Sequence, residues 1–304
     1  MTAARPLLFA LGSLLASTAL AAPAGFAFLE VPVGARAAAM GGAYVAVVDG
    51  VDGAFWNPAA LAGVQGTQIA GSHAEYIQNL KHDQFAVAGQ EFGGGLAASM
   101  RAMYSQPIDA RDDLGNLTGT FGSNDLEFQL AYGWQARPGA RFGAAAQVIR
   151  ERIDDAAANT WSGSLGGQWT PQTMKSLSFG ASAQHLGPDA HFDNVGDGPG
   201  GPVPLPAAVQ AGAAWTHAMA RGLGLTAELD TRATRGRQAV VSLGGELASD
   251  VGAALRFGVR QGDDLANFSA GIGYRRGTFS VDYAWVPSKL DLGDTQRFSF
   301  AAQF

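Results

Sequence analysis

Residues 295–304 read TQRFSFAAQF. Phe298, Phe300, Ala302 and Phe304 fall on one side of an extended chain, with Arg297, Ser299, Ala301 and Gln303 on the other. Successive side chains of a strand point to opposite faces, so this is a strand with one apolar face and one polar or small face. The stretch before it repeats the pattern, with Phe279, Val281, Tyr283 and Trp285 alternating with Ser280, Asp282 and Ala284.

Working outward, the same period recurs along most of the chain. Strands are expected near Gly66–Tyr76, Asp83–Gln90, Gly94–Tyr104, Asn124–Gln135, Ala140–Ile153, Thr160–Thr170 and Lys175–Leu186. They continue near Pro206–His217, Gly222–Thr231, Gln238–Ala248, Gly252–Gln261, Ala266–Arg275, Gly277–Val286 and Thr295–Phe304, about fourteen in all, an even number as single-chain bacterial barrels have. The odd gaps include long ones, Ser105–Ser123, Gly187–Leu205 and Pro287–Asp294. The even gaps are tight, as at Glu91–Gly93, Ala136–Gly139 and Ser249–Val251. Long loops at one end and short turns at the other are the pattern of an up-and-down transmembrane barrel with both termini on the short-turn side. The fold class expected is therefore all-β, a barrel over residues 65–304.

Alternation also sorts the faces. Leu126, Phe128, Leu130, Tyr132 and Trp134 should face lipid, and Glu127, Gln129, Ala131 and Gly133 the lumen. Leu255, Phe257 and Val259 likewise alternate with Arg256, Gly258 and Arg260. Tyr132, Trp134, Tyr274, Tyr283 and Trp285 lie near strand ends, where interfacial aromatic girdles form.

Composition agrees. Of 304 residues 47% are hydrophobic, yet after Ala22 no run is long enough for a spanning helix, so a membrane fold must be a barrel. There is no cysteine, which excludes disulfides and thiolate metal sites. The 42 glycines, spread along strands, suit a crowded lumen or tight bends. A net charge of −6 without a basic stripe argues against a nucleic-acid partner. Residues 1–21 read as a secretory signal peptide: Arg5, the short apolar run Leu7–Leu20, and Ala19-Leu20-Ala21 before the cut.

Between leader and barrel, residues 22–64 are too short to fold alone and are expected to fill the lumen as a plug. Ala35–Met40 is rich in helix formers between Gly34 and Gly41-Gly42. Ala43–Val48 fits helix or strand equally. Pro58 holds Asn57 out of helical geometry.

This segment is similar to the N-terminal signature of the PorV/PorQ family, within the FadL-like superfamily of outer-membrane barrels. The matching residues are Gly34-Ala35-Arg36-Ala37-Ala38-Ala39-Met40-Gly41-Gly42-Ala43 and Phe55-Trp56-Asn57-Pro58-Ala59 before Leu61; Asp112–Phe121 is also similar. The terminal strand, with Phe300 and Phe304, resembles the C-terminal assembly signal of such barrels. The resemblance implies a bacterial outer-membrane location, contact with outer-membrane lipid and the barrel assembly machinery, and an N-terminal hatch. It implies either carriage of a hydrophobic small molecule or, in one branch, binding of secreted protein cargo in type IX secretion. No cofactor is implied.

The plug and gating candidates are Arg36, Met40, Trp56, Asn57 and Pro58. Arg36 is the sole basic residue between Arg5 and Lys81, so in a small lumen it should pair with a wall carboxylate: Glu127, Glu228, Glu246 or Asp282. A fixed tie is favoured over a releasable latch. Asn57 suits capping of irregular backbone. Trp56 and Phe55 fit wall packing or the lining of an apolar pocket. An enzyme is not expected, because no Gly-x-Ser-x-Gly elbow is present and the His82-Asp83 and Ser72-His73 pairs define no triad. The loop with Asp189, His191, Asp193, Asn194 and Asp197 lacks the spacing of a calcium loop, and no metal is expected. Two functions remain, plug-gated passive transport and cargo binding through the outer loops, with transport favoured.

Overall fold

The computed structural model describes residues 24–193, 200–290 and 292–304. The expected signal peptide lies outside them. Strands β1 (Gln68–Glu75), β2 (Lys81–Glu91), β3 (Gly94–Tyr104), β6 (Ser123–Arg137), β7 (Ala140–Ile153), β8 (Ala156–Trp169) and β9 (Leu177–Leu186) make one half of a wall. The other half is β12 (Ala208–Ala218), β13 (Leu223–Thr234), β14 (Val240–Ser249), β15 (Ala253–Gln261), β16 (Phe268–Arg276), β17 (Phe279–Val286) and β18 (Thr295–Gln303). Neighbours pair antiparallel, β1 pairs with β18 and β8 with β9, so the wall closes as a barrel of fourteen strands. Closure leaves no unpaired edge on the wall.

The faces follow the alternation. Phe128 is 51% exposed on the outside, and its neighbour Glu127 is 1% exposed inside. Tyr132 stacks on Trp134, and Trp169 on Phe179, at the short-turn rim. Phe300 and Phe304 face outward, and Phe304 meets Phe279 edge-on.

The long connections carry strands of their own. β4 (Ile108–Arg111) and β5 (Leu117–Phe121) form a hairpin, and β10 (Ala190–Asp193) pairs with both the outer end of β8 and β11 (Pro202–Val203). One expected boundary is corrected. β8 starts at Ala156 rather than Thr160, so the connection from β7 is the short turn Asp154-Asp155 at the long-loop rim. The run Ala156-Ala157-Ala158 has no polar contrast, so its alternation is invisible in sequence; Ala158 joins an apolar cluster with Phe26, Ile149 and Ala190.

The plug descends the lumen from the long-loop rim to the short-turn rim. Gly25 donates to Pro204 O (3.1 Å) at the start, and Gln303 donates to Gln65 O (3.3 Å) at the end. Helix α1 (Ala35–Ala39) matches expectation, whereas Ala43–Val48 forms turns, neither helix nor strand. Helix α2 (Gly53–Trp56) precedes Asn57, which caps a 3-10 turn over Pro58–Gly63. Wall glycines face the plug at its closest approach. A Cβ on Gly258 would overlap the backbone of Met40 and Gly41, and one on Gly143 that of Pro58.

Candidate functional site: a plugged lumen with an outer cavity

The plug is tied to the wall mainly through its backbone, because its turns leave N–H and C=O groups without ladder partners. On β13, Glu228 and Asp230 share the inward face. Asp230 Oδ2 accepts from Tyr44 N (2.8 Å) and Val45 N (3.1 Å), and Glu228 accepts from Ala46 N (2.7 Å) and Val47 N (3.2 Å). Inward glutamines serve the carbonyls. Gln168 donates to Val48 O (2.9 Å), Gln184 to Phe55 O (2.8 Å), Gln210 to Gly42 O (3.1 Å), and Gln129 to Ala54 O. Gln129 was expected on the lumen face, but the tie of these glutamines to plug carbonyls was not; its signal is an amide at an inward position of the alternation.

Of the four carboxylates expected for Arg36, the structure selects Glu246. Arg36 Nε and Nη2 each meet it at 2.9 Å, a bidentate pair, and Nη1 reaches Asp49 at 3.3 Å. Glu246 also accepts from Arg256, whose Nη1 bonds Asp282 (2.6 Å), so Asp282 joins at one remove. Glu228 is corrected to a partner of backbone N–H groups. Glu127 pairs instead with Arg101 (3.0 Å) on the neighbouring strand, beside His185 (3.5 Å), and the same guanidinium donates to Leu29 O (3.1 Å). Cross-strand register decides this, since Arg101 and Glu127 are directly opposite.

Asn57 is fully buried and donates to Val45 O (3.0 Å) and Gly167 O (3.1 Å), while its Oδ1 accepts from Ala59 N (3.2 Å). Trp56 Nε1 donates to Val33 O (3.0 Å), and the ring meets Tyr44 edge-on at 5.7 Å. Met40 is buried with Tyr44 and Trp56. Tyr44 OH donates to Asp52 (3.3 Å); both lie in the plug, outside the spanning strands. Burial, reinforced by Asp49, pushes the Asp52 carboxyl up to about 6.

Among the cavities that adjoin the plug in the described residues, two lie on opposite sides of it, one nearer the long-loop rim and one nearer the short-turn rim. The outer one, about 480 Å³, is lined by Phe28, Val31, Trp56, Leu80, Met103 and Val286, with Arg232, Arg237, Arg260 and Arg297 among them. Arg237 pairs with Glu30 and Arg260 with Asp263, whereas Arg232 and Arg297 have no ion-pair partner among the described residues. Arg297, 1% exposed, donates to Pro32 O. The inner cavity, about 320 Å³, is lined by Gly34, Ala35, Arg36, Asp52, Phe55 and Gln68, among others. Plug segment 32–35 lies between them together with α1 and α2, and it is pinned to β18 by Arg297 and by Ala35 N donating to Ser299 Oγ (2.7 Å). Trp56 thus serves both readings, wall packing and cavity lining.

The remaining candidates separate. His73 bonds Asp83 (2.6 Å) on the outer face, while His82 points inward to Gln84 (2.8 Å). Asp189 pairs with Arg235 (3.3 Å), and Asn194 and Asp197 lie outside the described residues.

The profile of the uncharacterised protein family UPF0164 matches residues 16–136. No curated protein matches the chain. Solved structures do: the toluene transporter TbuX of Ralstonia pickettii, 14% identical with a TM-score of 0.60, over 90% of this chain and 98% of that one. The toluene transporter TodX of Pseudomonas putida is 13% identical with a TM-score of 0.61, again over 90% and 98%. A FadL homologue from Pseudomonas aeruginosa is 12% identical with a TM-score of 0.52, over the same shares. At such identities the likeness is one of fold alone, that of a closed antiparallel barrel.

Proposed function

We propose that the protein is an outer-membrane channel that admits a small apolar molecule passively, with the plug as its gate. The outer cavity carries this reading. It opens beneath the long loops, is lined by apolar side chains with arginines and carboxylates among them, and is divided from the inner cavity by the plug. Discrimination there rests on buried apolar area at roughly 25 cal/mol per Å², so the size of the apolar body matters most. Arg232 and Arg297 suit a molecule that also carries acceptor oxygens. The structural neighbours named as toluene transporters support an apolar substrate. Export by residues 1–21, and assembly guided by Phe300 and Phe304, complete the proposal.

A second reading, cargo binding of the PorV type, is favoured by one observation. The β4–β5 hairpin stands on the outer side with Leu114, Leu117 and Ile108 exposed. Mass spectrometry of what co-purifies from the native membrane in mild detergent separates the two. Apolar small molecules in stoichiometric amount are expected. Stoichiometric secreted proteins, with no small molecule, would overturn transport in favour of cargo binding.

A further inference from the structure

The outward face of β7 ends in a pair of arginines that the transport reading does not use. Alternation sends Gln147, Ile149 and Glu151 inward and Val148, Arg150 and Arg152 outward, and both arginines are exposed. Register sets their depth. Val148 stands opposite Phe128 and Trp161, which is 62% exposed to lipid. One step farther out, Arg150 lies between Leu126 and Asn159, and Arg152 between Asn124 and Ala157. Arg150 is thus the first charge beyond an interfacial tryptophan, at the level of lipid headgroups on the long-loop side.

Neither arginine belongs to an ion pair among the described residues; Arg152 Nε donates only to the turn carbonyl of Asp154 (2.9 Å). Elsewhere at this rim His73 pairs with Asp83 (2.6 Å) and Lys81 with Glu75 (3.6 Å), while Asp193 shares the outward row of Arg152 on the far side of Ala157. On the opposite wall the corresponding outward positions are Thr231, Val241, Phe268, Trp285 and Gln296, all uncharged. The positive patch is therefore local rather than part of a uniform belt. Its two guanidinium groups start about 7 Å apart on one strand, close enough to converge on one phosphate, and Asn124 and Asn159 flank them with amides.

We propose that Arg150 and Arg152 bind the phosphate of a phosphorylated glycolipid in the outer leaflet. The inference rests on the outer-membrane reading and is independent of what passes through the lumen. The test compares the full protein with the variant Arg150→Gln/Arg152→Gln, both shown to be folded by heat-dependent gel mobility. Each is fractionated on a density gradient, then titrated in detergent with bisphosphorylated lipid A and with its dephosphorylated form. The wild type is expected in the outer-membrane fraction. It should bind the phosphorylated lipid roughly tenfold more tightly than the variant does, and bind the dephosphorylated form no better than the variant. Equal binding by the two proteins, with both in the outer membrane, overturns this proposal alone. Competition by inorganic phosphate at equal concentration would reduce the patch to a simple anion site and overturn the lipid assignment. Recovery of the wild type outside the outer membrane overturns the location and the lipid site together.

Discussion

Replacing Asn57 with leucine removes, at similar volume, the side-chain polar atoms that join the middle of the plug to its own turn and to the wall. Asn57 is 0% exposed, so water cannot stand in for what is lost. Loss of the cap on Ala59 N costs about 1 kcal/mol. The carbonyls of Val45 and Gly167 lose their side-chain donor, at about 1–3 kcal/mol each if left unsatisfied. The sum, roughly 3–7 kcal/mol, falls on the seating of the plug, because the pairing of the wall strands does not involve this side chain. The expected outcome is a barrel with normal heat-dependent gel mobility, a protease-sensitive segment between residues 24 and 64, and raised conductance in planar bilayers. An Asn57→Leu protein with wild-type protease resistance and a closed pore would refute the reasoning, since the plug would then be held by its other ties alone.

Leucine at Gly258 should displace the C-terminal end of α1, because its Cβ would meet the backbone of Met40 and Gly41; overpacking of this kind costs about 1–3 kcal/mol. Raised conductance is expected for Gly258→Leu and not for Gly89→Leu, whose Cβ meets open space. Asp52 gives a pH dependence with a definite sign. Its carboxyl is raised from 3.8 to about 6 in the seated plug, so seating is strongest when it is protonated and weakens as pH rises through that window. Asp52→Asn should therefore raise the plug's protease resistance at about pH 7.5 and leave it unchanged near pH ~3.5; an equal effect at both would show that the carboxyl is not what titrates.

The barrel was legible in the sequence because a wall with an apolar outer face and a polar inner face imposes a period of two on each strand. Every expected strand is present, and Gly94–Tyr104 and Ala140–Ile153 match to the residue. The boundary missed at Ala156 lies where three alanines erase the contrast between faces. The conformation of the segment ahead of the barrel was not legible. Ala43–Val48 has no local preference that decides it, and its turns exist because Glu228 and Asp230 supply acceptors for four consecutive N–H groups.

What the sequence determined alone is therefore the class of fold, the orientation of each wall face, and the pairing of Arg36 with some inward carboxylate. Alternation and the cost of an unpaired buried charge act on residues near in sequence or on any partner of the right sign. Only the tertiary structure decided which carboxylate. Arg36 lies far in sequence from Glu246, and Glu127 was already taken by Arg101 across one strand pair. The depth of Arg150 against Trp161, the two cavities and the glycines that admit the plug were likewise set by register and closure. These are relations between distant segments that no local pattern encodes.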